Sequence, residues 1–265
     1  RAVLGLIGQG PLAGEALWID YRAERLGLIP VGSAHEGAPG GAGASGRDAT
    51  LGARGAGSGP RNAADAIGDS RAALAGVLGK RAVAVPFRLA GDGKIMVEAR
   101  VSDPSPPRFS RRLTLIVDTG ATQCVFFAAA LERSAPHAAD WPRVRGLVAP
   151  TLVGAASASI ARVPELELRV AAGVLRARDL YIGVIEGSLG DVLSRTTGET
   201  VHGLLGYSFL RRYRVTIDYP HRVLWLEPEP RWNDRPYEYC HVGIQIERVA
   251  GASRIVAVAE RSPAE

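Results

Sequence analysis

The chain has 265 residues, 46% of them hydrophobic, which is enough apolar material for one large domain or two small ones with buried cores. Net charge is +5, yet only two of the 32 basic residues are lysines (Lys80 and Lys94), and the arginines are scattered among acids with no basic run or aromatic-interleaved patch. That pattern excludes the footprint of a nucleic-acid binder. No apolar run approaches the ~20 residues that span a bilayer, the two cysteines (Cys124 and Cys240) make no disulfide framework, and no Cys/His cluster has metal-ligand spacing.

Residues 1–30 carry Val3-x-Gly5-Leu6-Ile7-Gly8, then Ile19-Asp20-Tyr21 and Leu26-x-Leu28-x-Pro30, a glycine-paired turn followed by strand-like segments. The chain opens mid-element at Arg1 and stops at Glu265 without terminal punctuation, so it reads as a piece of a longer protein. Residues 31–79 change character. Ten of the 29 positions from Gly32 to Pro60 are glycine, and such a segment buries too little apolar surface to offset its ordering entropy. It is expected to be a Gly/Ala-rich linker, with a short helix over Asp65–Leu78.

Residues 80–229 read as one lobe. Ala82–Leu89 and Lys94–Val101 are predicted strands joined at Gly91-Asp92-Gly93, a hairpin signal. In the second, Ile95, Val97, Ala99 and Val101 share one face. Asp103–Arg112, with three prolines, is expected to be an exposed loop. Leu113-Thr114-Leu115-Ile116-Val117 is a buried strand that ends on Asp118-Thr119-Gly120-Ala121-Thr122. An unpaired charge is costly beside such a core, so an acid at this point calls for a reason. Cys124 on the next strand is expected to be a reduced core thiol, and a short helix follows around Ala128–Ser134. The small residues of Val148–Ile160 suit either an ordinary surface hairpin or one that bends to approach a ligand backbone closely. Pro164–Val170, Val174–Arg178 and Leu180–Ile185 continue the sheet, and Ser188–Thr200 is expected to be a loop or frayed helix.

Gly203-Leu204-Leu205-Gly206-x-x-Phe209-Leu210 follows, and then Arg214–Tyr219 and Arg222–Leu226 as a closing hairpin. Laid without gaps on residues 201–228, a shift of 198, the segment 3–30 matches at Val3, Gly5, Leu6, Gly8, Leu12, Ile19, Asp20, Tyr21, Leu26, Leu28 and Pro30. This is an internal repeat, and its two halves are expected to share one local structure, with 1–30 either docked on the later lobe or else poorly ordered.

Hydrophobic-Asp-Thr-Gly-Ala, then Gly-Leu-Leu-Gly-x-x-Phe-Leu, then a terminal hairpin, resembles the retropepsin-like aspartic proteases, over roughly residues 80 to 229. The bacterial members with an appended PDZ module are the nearest likeness. The resemblance implies an all-β fold, a closed β-barrel lobe with one short helix at 80–229. It makes 1–30 the C-terminal remnant of a first such lobe. Residues 237–265, with strands at Val242–Glu247 and Arg254–Val258 and then Ser262-Pro263-Ala264, resemble the start of a PDZ-like domain.

The activity implied is that of an aspartic endopeptidase. A water is activated between two Asp carboxylates that share a proton, one acting as base and the other as acid. One of the two catalytic carboxylates is Asp118, and Thr119, Gly120, Ala121 and Thr122 form the active-site loop. Val153, Gly154, Ala155 and Ala156 fall where the family carries its substrate-covering flap, and Gly203, Leu204, Leu205 and Gly206 support the loop. Thr122 stands where the family more often has Asp or Ser. The sequence has a single Asp-Thr-Gly, so the second acid must come from an upstream lobe in cis or from another copy in trans. Asp20 and Asp218, equivalent in the repeat, read as structural. The partners implied are a peptide or protein substrate and that second lobe, without cofactor, metal, nucleic acid or membrane span, in a periplasmic or cell-envelope setting. The competing reading is an inactive lobe that, with the PDZ part, binds peptides or serves assembly.

Overall fold

A computed structural model describes residues 12, 14–31, 62–104, 107–151, 154–229 and 242–265. The expected Gly5–Gly8 turn, Cys240 and most of the Gly-rich stretch lie outside them. The first elements are β1 (Glu15–Asp20), β2 (Arg25–Pro30), α1 (Ala63–Ala73), β3 (Val83–Pro86), β4 (Arg88–Leu89), β5 (Ile95–Pro104), β6 (Pro107–Phe109), β7 (Leu113–Val117), β8 (Cys124–Phe127) and α2 (Ala128–Ser134). They continue with β9 (Arg143–Thr151), β10 (Gly154–Val170), β11 (Gly173–Ile185), α3 (Leu189–Thr197), β12 (Gly203–Leu205), α4 (Tyr207–Leu210), β13 (Tyr213–Asp218), β14 (Val223–Pro228), β15 (Ile244–Val249) and β16 (Ala252–Val258). The fold is all-β. No helix among the described residues is long and apolar enough to cross a membrane.

Six strands close a barrel in the order β5-β7-β12-β8-β11-β10 and back to β5, with β4 and β9 on its flanks. The even-spaced apolar residues of each strand fill it: Val97, Val101, Leu113, Leu115, Phe126, Leu166, Leu168, Ile182 and Leu205 are all at most 2% exposed. Burial of that many aliphatic side chains, at about 1.5–3 kcal/mol each, is the main force holding the barrel shut. The free thiol of Cys124 is part of this core, as the sequence predicts.

A second, five-stranded sheet runs β2-β1-β13-β14-β3. It bears out the hairpin part of the repeat. Hairpins β1–β2 and β13–β14 have the same lengths at an offset of 198 and the same register, Asp20 opposite Arg25 in one and Asp218 opposite Val223 in the other. Glu24 and Arg222, also 198 apart, both take positive φ, 53° and 58°. Asp20 Oδ1 accepts the Ala23 N–H at 2.9 Å and Asp218 Oδ1 accepts the His221 N–H at 3.1 Å, so the two aspartates hold equivalent turns. The hairpins pair antiparallel through β1 and β13, with Trp18 opposite its own counterpart Thr216. A local twofold axis therefore passes between those two residues.

Helix α1 covers one face of this sheet. Asn62 caps it, accepting the Asp65 N–H at 2.9 Å. Leu74 packs with Trp225 in an apolar cluster, and the Arg71 guanidinium lies 4.5 Å over the Trp225 ring. Beneath them Asp218 is fully buried, accepting from Ser70 Oγ at 2.6 Å while Trp225 Nε1 donates to the same Oγ at 2.8 Å. The helix occupies 63–73 instead of 65–78, because the Asn62 cap fixes its start.

Three expectations are corrected. The strand expected over Ala82–Leu89 divides between the two sheets, since Pro86 has no N–H to continue a ladder and Phe87 donates instead to Arg222 O at 2.9 Å. Asp103–Arg112 is not a free loop: β6 pairs with the end of β5, and Asp103 is buried, taking Trp141 Nε1 at 2.9 Å and Arg108 at 2.7 Å. Ser188–Thr200 holds a definite helix, α3, which ends on Gly198 at φ 78° and packs Leu189 and Leu193 inward.

Candidate active site

Asp118 follows the last residue of β7, half-buried, with Thr119, Gly120 and Thr122 exposed beside it. Its own N–H is tied to Leu205 O at 3.1 Å. Its Oδ1 accepts two backbone N–H groups, from Gly120 at 2.9 Å and Ala121 at 3.1 Å. The carboxylate is thus oriented by the loop that succeeds it rather than by a cation. A Cβ at position 120 would stand 3.4 Å from that Oδ1, an ordinary contact.

The support comes from β12, which threads between β7 and β8, parallel to the first and antiparallel to the second. That arrangement leaves no room for side chains at Gly203 within it or at Gly206 just after it. A Cβ on Gly203 would lie 2.1 Å from Val125 O, and one on Gly206 would lie 2.2 Å from Gln123 O and 3.0 Å from Ala121 O. The Gly-Leu-Leu-Gly motif is therefore a spacing requirement: it lets β12 approach the backbone that carries the Asp118 loop. Leu205 between them is fully buried and Leu204 half-buried.

Several residues at this site carry no sequence signal of their own. Tyr207 N–H donates to Ala121 O at 2.9 Å and closes the loop from below. Ser208 Oγ accepts the Cys124 N–H at 2.9 Å and fixes the strand after the loop. Tyr21, from the repeat hairpin, meets Tyr207 edge-on at 5.2 Å between ring centroids. Burial, then the Tyr207 and Asp118 charges, pushes the Tyr21 hydroxyl up to about 12. Only the position of Tyr207 and Ser208 directly after Gly206 could have drawn attention to them.

Gly154, Ala155 and Ala156 lie on the β9–β10 hairpin, at or next to its bend; Val153 is outside the described residues. Together with Thr151 and Ser157, Ala155 and Ala156 form one wall of an open groove of about 340 Å³, and Glu186, Gly187, Ser188 and Leu189 form the other. Asp118 is not among its lining residues. Ser157 O accepts the Glu186 N–H at 3.0 Å, which ties the two walls at one end. Among the described residues, no group of three or more His, Cys, Asp or Glu could hold a metal.

None of the curated proteins matches the sequence. Among solved structures, the chain is similar to a retropepsin-like aspartic protease from Rickettsia conorii, at 20% identity and a TM-score of 0.35, over 56% of this chain and 99% of that one. It is also similar to an aspartic proteinase from Irpex lacteus, at 12% identity and a TM-score of 0.35, over 58% of this chain and 50% of that one. In sequence, residues 97–209, a span from β5 to α4 that takes in Asp118, the β9–β10 hairpin, Gly203 and Gly206, match the model of the aspartyl protease family.

Proposed function

We propose that the protein is an aspartic endopeptidase in which Asp118 is one of two carboxylates that activate the attacking water. The observation that carries this reading is the carboxylate at the end of a core strand, with one oxygen held by two backbone N–H groups and the other left for chemistry. Two such acids at short range cannot both ionise, so the pair holds one proton, and its titration belongs to the pair. The ionised member takes a proton from water as that water attacks the peptide carbonyl. The protonated member donates to the carbonyl oxygen, and the amine leaves with a proton passed back through the same pair.

The second carboxylate comes, in this reading, from a first lobe related to residues 80–229 by the local twofold axis. Supporting it is the pair Leu26 and Leu28, 65% and 52% exposed, whose repeat counterparts Leu224 and Leu226 on β14 are fully buried in the same apolar cluster as the barrel core. A barrel equivalent to the one described would cover them in the same way. The alternative, an inactive lobe that binds peptides, draws on the single Asp-Thr-Gly of the sequence.

The test is Asp118→Asn in the complete protein, assayed on an unfolded protein substrate at mildly acidic pH. Hydrolysis is expected to be lost while the far-UV spectrum and melting curve stay unchanged, since loss of one member disables the pair as a unit. A statine-type peptide, whose hydroxyl mimics the tetrahedral intermediate, is expected to inhibit the wild type. Undiminished turnover in the Asn variant would overturn the assignment.

A further inference from the structure

The outer edge of β9 is the exposed end of the barrel's sheet, and edge strands present unpaired backbone groups. Here that edge is occupied by the chain's own C-terminal hairpin, β15–β16. Gln245 lies across β9 with its amide aligned to Val148: Val148 N–H donates to Oε1 at 3.0 Å, and Nε2 donates to Val148 O at 2.6 Å. One side chain thereby replaces a missing strand at that residue. Further along, Glu260 N–H donates to Arg145 O at 3.1 Å.

Both partners are shaped for this contact. The β15–β16 register shifts between Gln245 and Ile246, and a bulge of that kind re-aims the neighbouring side chain. The β9–β10 register is irregular between Ala158 and Ile160, opposite Gly146. Gly146 takes φ +79°, and a Cβ there would lie 2.8 Å from Val258 O. A glycine is thus required both by the backbone angle and by the approach of β16.

Val148 is paired across the hairpin with Ser157, and Ser157 O holds the Glu186 N–H at the wall of the groove. The grip of Gln245 is therefore one strand away from the groove. We propose that the C-terminal hairpin is a latch on the β9–β10 hairpin, with Gln245 setting how freely residues 143–160 move. Displacement of the C-terminal segment would then be felt at the candidate site. That β9–β10 covers a substrate rests on the function proposed above; the latch itself does not.

Amide hydrogen exchange on the 265-residue chain tests it. Gln245→Ala is expected to accelerate exchange about tenfold within residues 143–160, the effect of a lost hydrogen-bonded pair on local opening, while β7 and β13 exchange as before. Gln245→Glu keeps an acceptor for the Val148 N–H but loses the donor to Val148 O, and it is expected to behave like the Ala variant. Glu247→Ala, exposed on the same strand, should change nothing in 143–160. Unaltered exchange in Gln245→Ala would overturn the latch. So would uniform acceleration throughout the barrel, which would make the C-terminal hairpin a general support. Peptide hydrolysis is not the readout, so an inactive Asp118 would leave the exchange result standing.

Discussion

At the scale of single residues, the candidate site depends on positions where a side chain is forbidden as much as on the acid. Gly206→Ala must push a methyl into the Gln123 and Ala121 carbonyls, and overpacking of that kind costs about 1–3 kcal/mol. Gly91, with nothing within 4 Å of its own Cβ position, should tolerate Ala to within about 0.5 kcal/mol. Chemical denaturation of the two variants checks this; equal midpoints would remove the spacing argument. His202 adds a dependence on pH. Its Nδ1 accepts the Thr114 N–H at 3.0 Å, and its backbone bonds both Thr114 and Phe127, so it joins β7, β8 and the approach to β12. Burial, reinforced by the Arg133 charge, holds its pKa below the ordinary 6.5. Protonation is disfavoured in the folded state, so His202 contributes stability above about pH 6.5, and that contribution is lost as pH falls through the lowered folded value. His202→Asn, which can keep an acceptor for Thr114, should therefore lose less melting temperature than the wild type between pH 7.5 and pH 5. Equal losses would show that His202 has no part in the acid sensitivity.

At the scale of elements, the repeat is the strongest message in the sequence, and it is legible because both hairpins must solve one problem. Each turns sharply after an Ile-Asp-Tyr, and each Asp ties the turn with the same backbone bond. The sequence placed most strands within a few residues, since apolar alternation and glycine turns are local signals. It failed where a partner decides: β6 is a strand only because β5 extends past Ser102 to meet it, and the strand ending at Pro86 splits because two sheets compete for it. The Pro164–Val170 alternation is correct in period, yet Glu165 and Glu167 are buried at 8% because Arg176 and Arg178 lie over them. Removing Arg176 takes the 2.8 Å partner from Glu167, but Arg176 is half exposed and its loss opens Glu167 to water, so the change should cost about 1 kcal/mol or less. A larger loss on denaturation would make this strand-crossing cluster a structural centre.

At the scale of the whole molecule, the described residues form a closed barrel that carries Asp118, a five-stranded sheet organised by the local twofold axis, and the C-terminal β15–β16 hairpin. The exposed Leu26 and Leu28 give the proposed first lobe a measurable consequence. In the complete protein each Leu→Ala change is expected to cost about 2–5 kcal/mol, as at any core site. In the 265-residue chain the same changes should stay within about 0.5 kcal/mol. Small effects in both would mean that no barrel covers these residues.

By itself the sequence carried the strand alternation, the acid at the end of a core strand, the paired glycines and the duplication, because each is written in periodicity or in residues with a special backbone role; the all-β barrel was what the resemblance of those motifs implied. Tertiary structure alone decided which strands close the barrel, why Gly203 and Gly206 admit no side chain, and that Gln245 grips Val148 across 97 positions. Those facts are distances between segments far apart in the chain, and no local pattern of residue types encodes a distance of that kind.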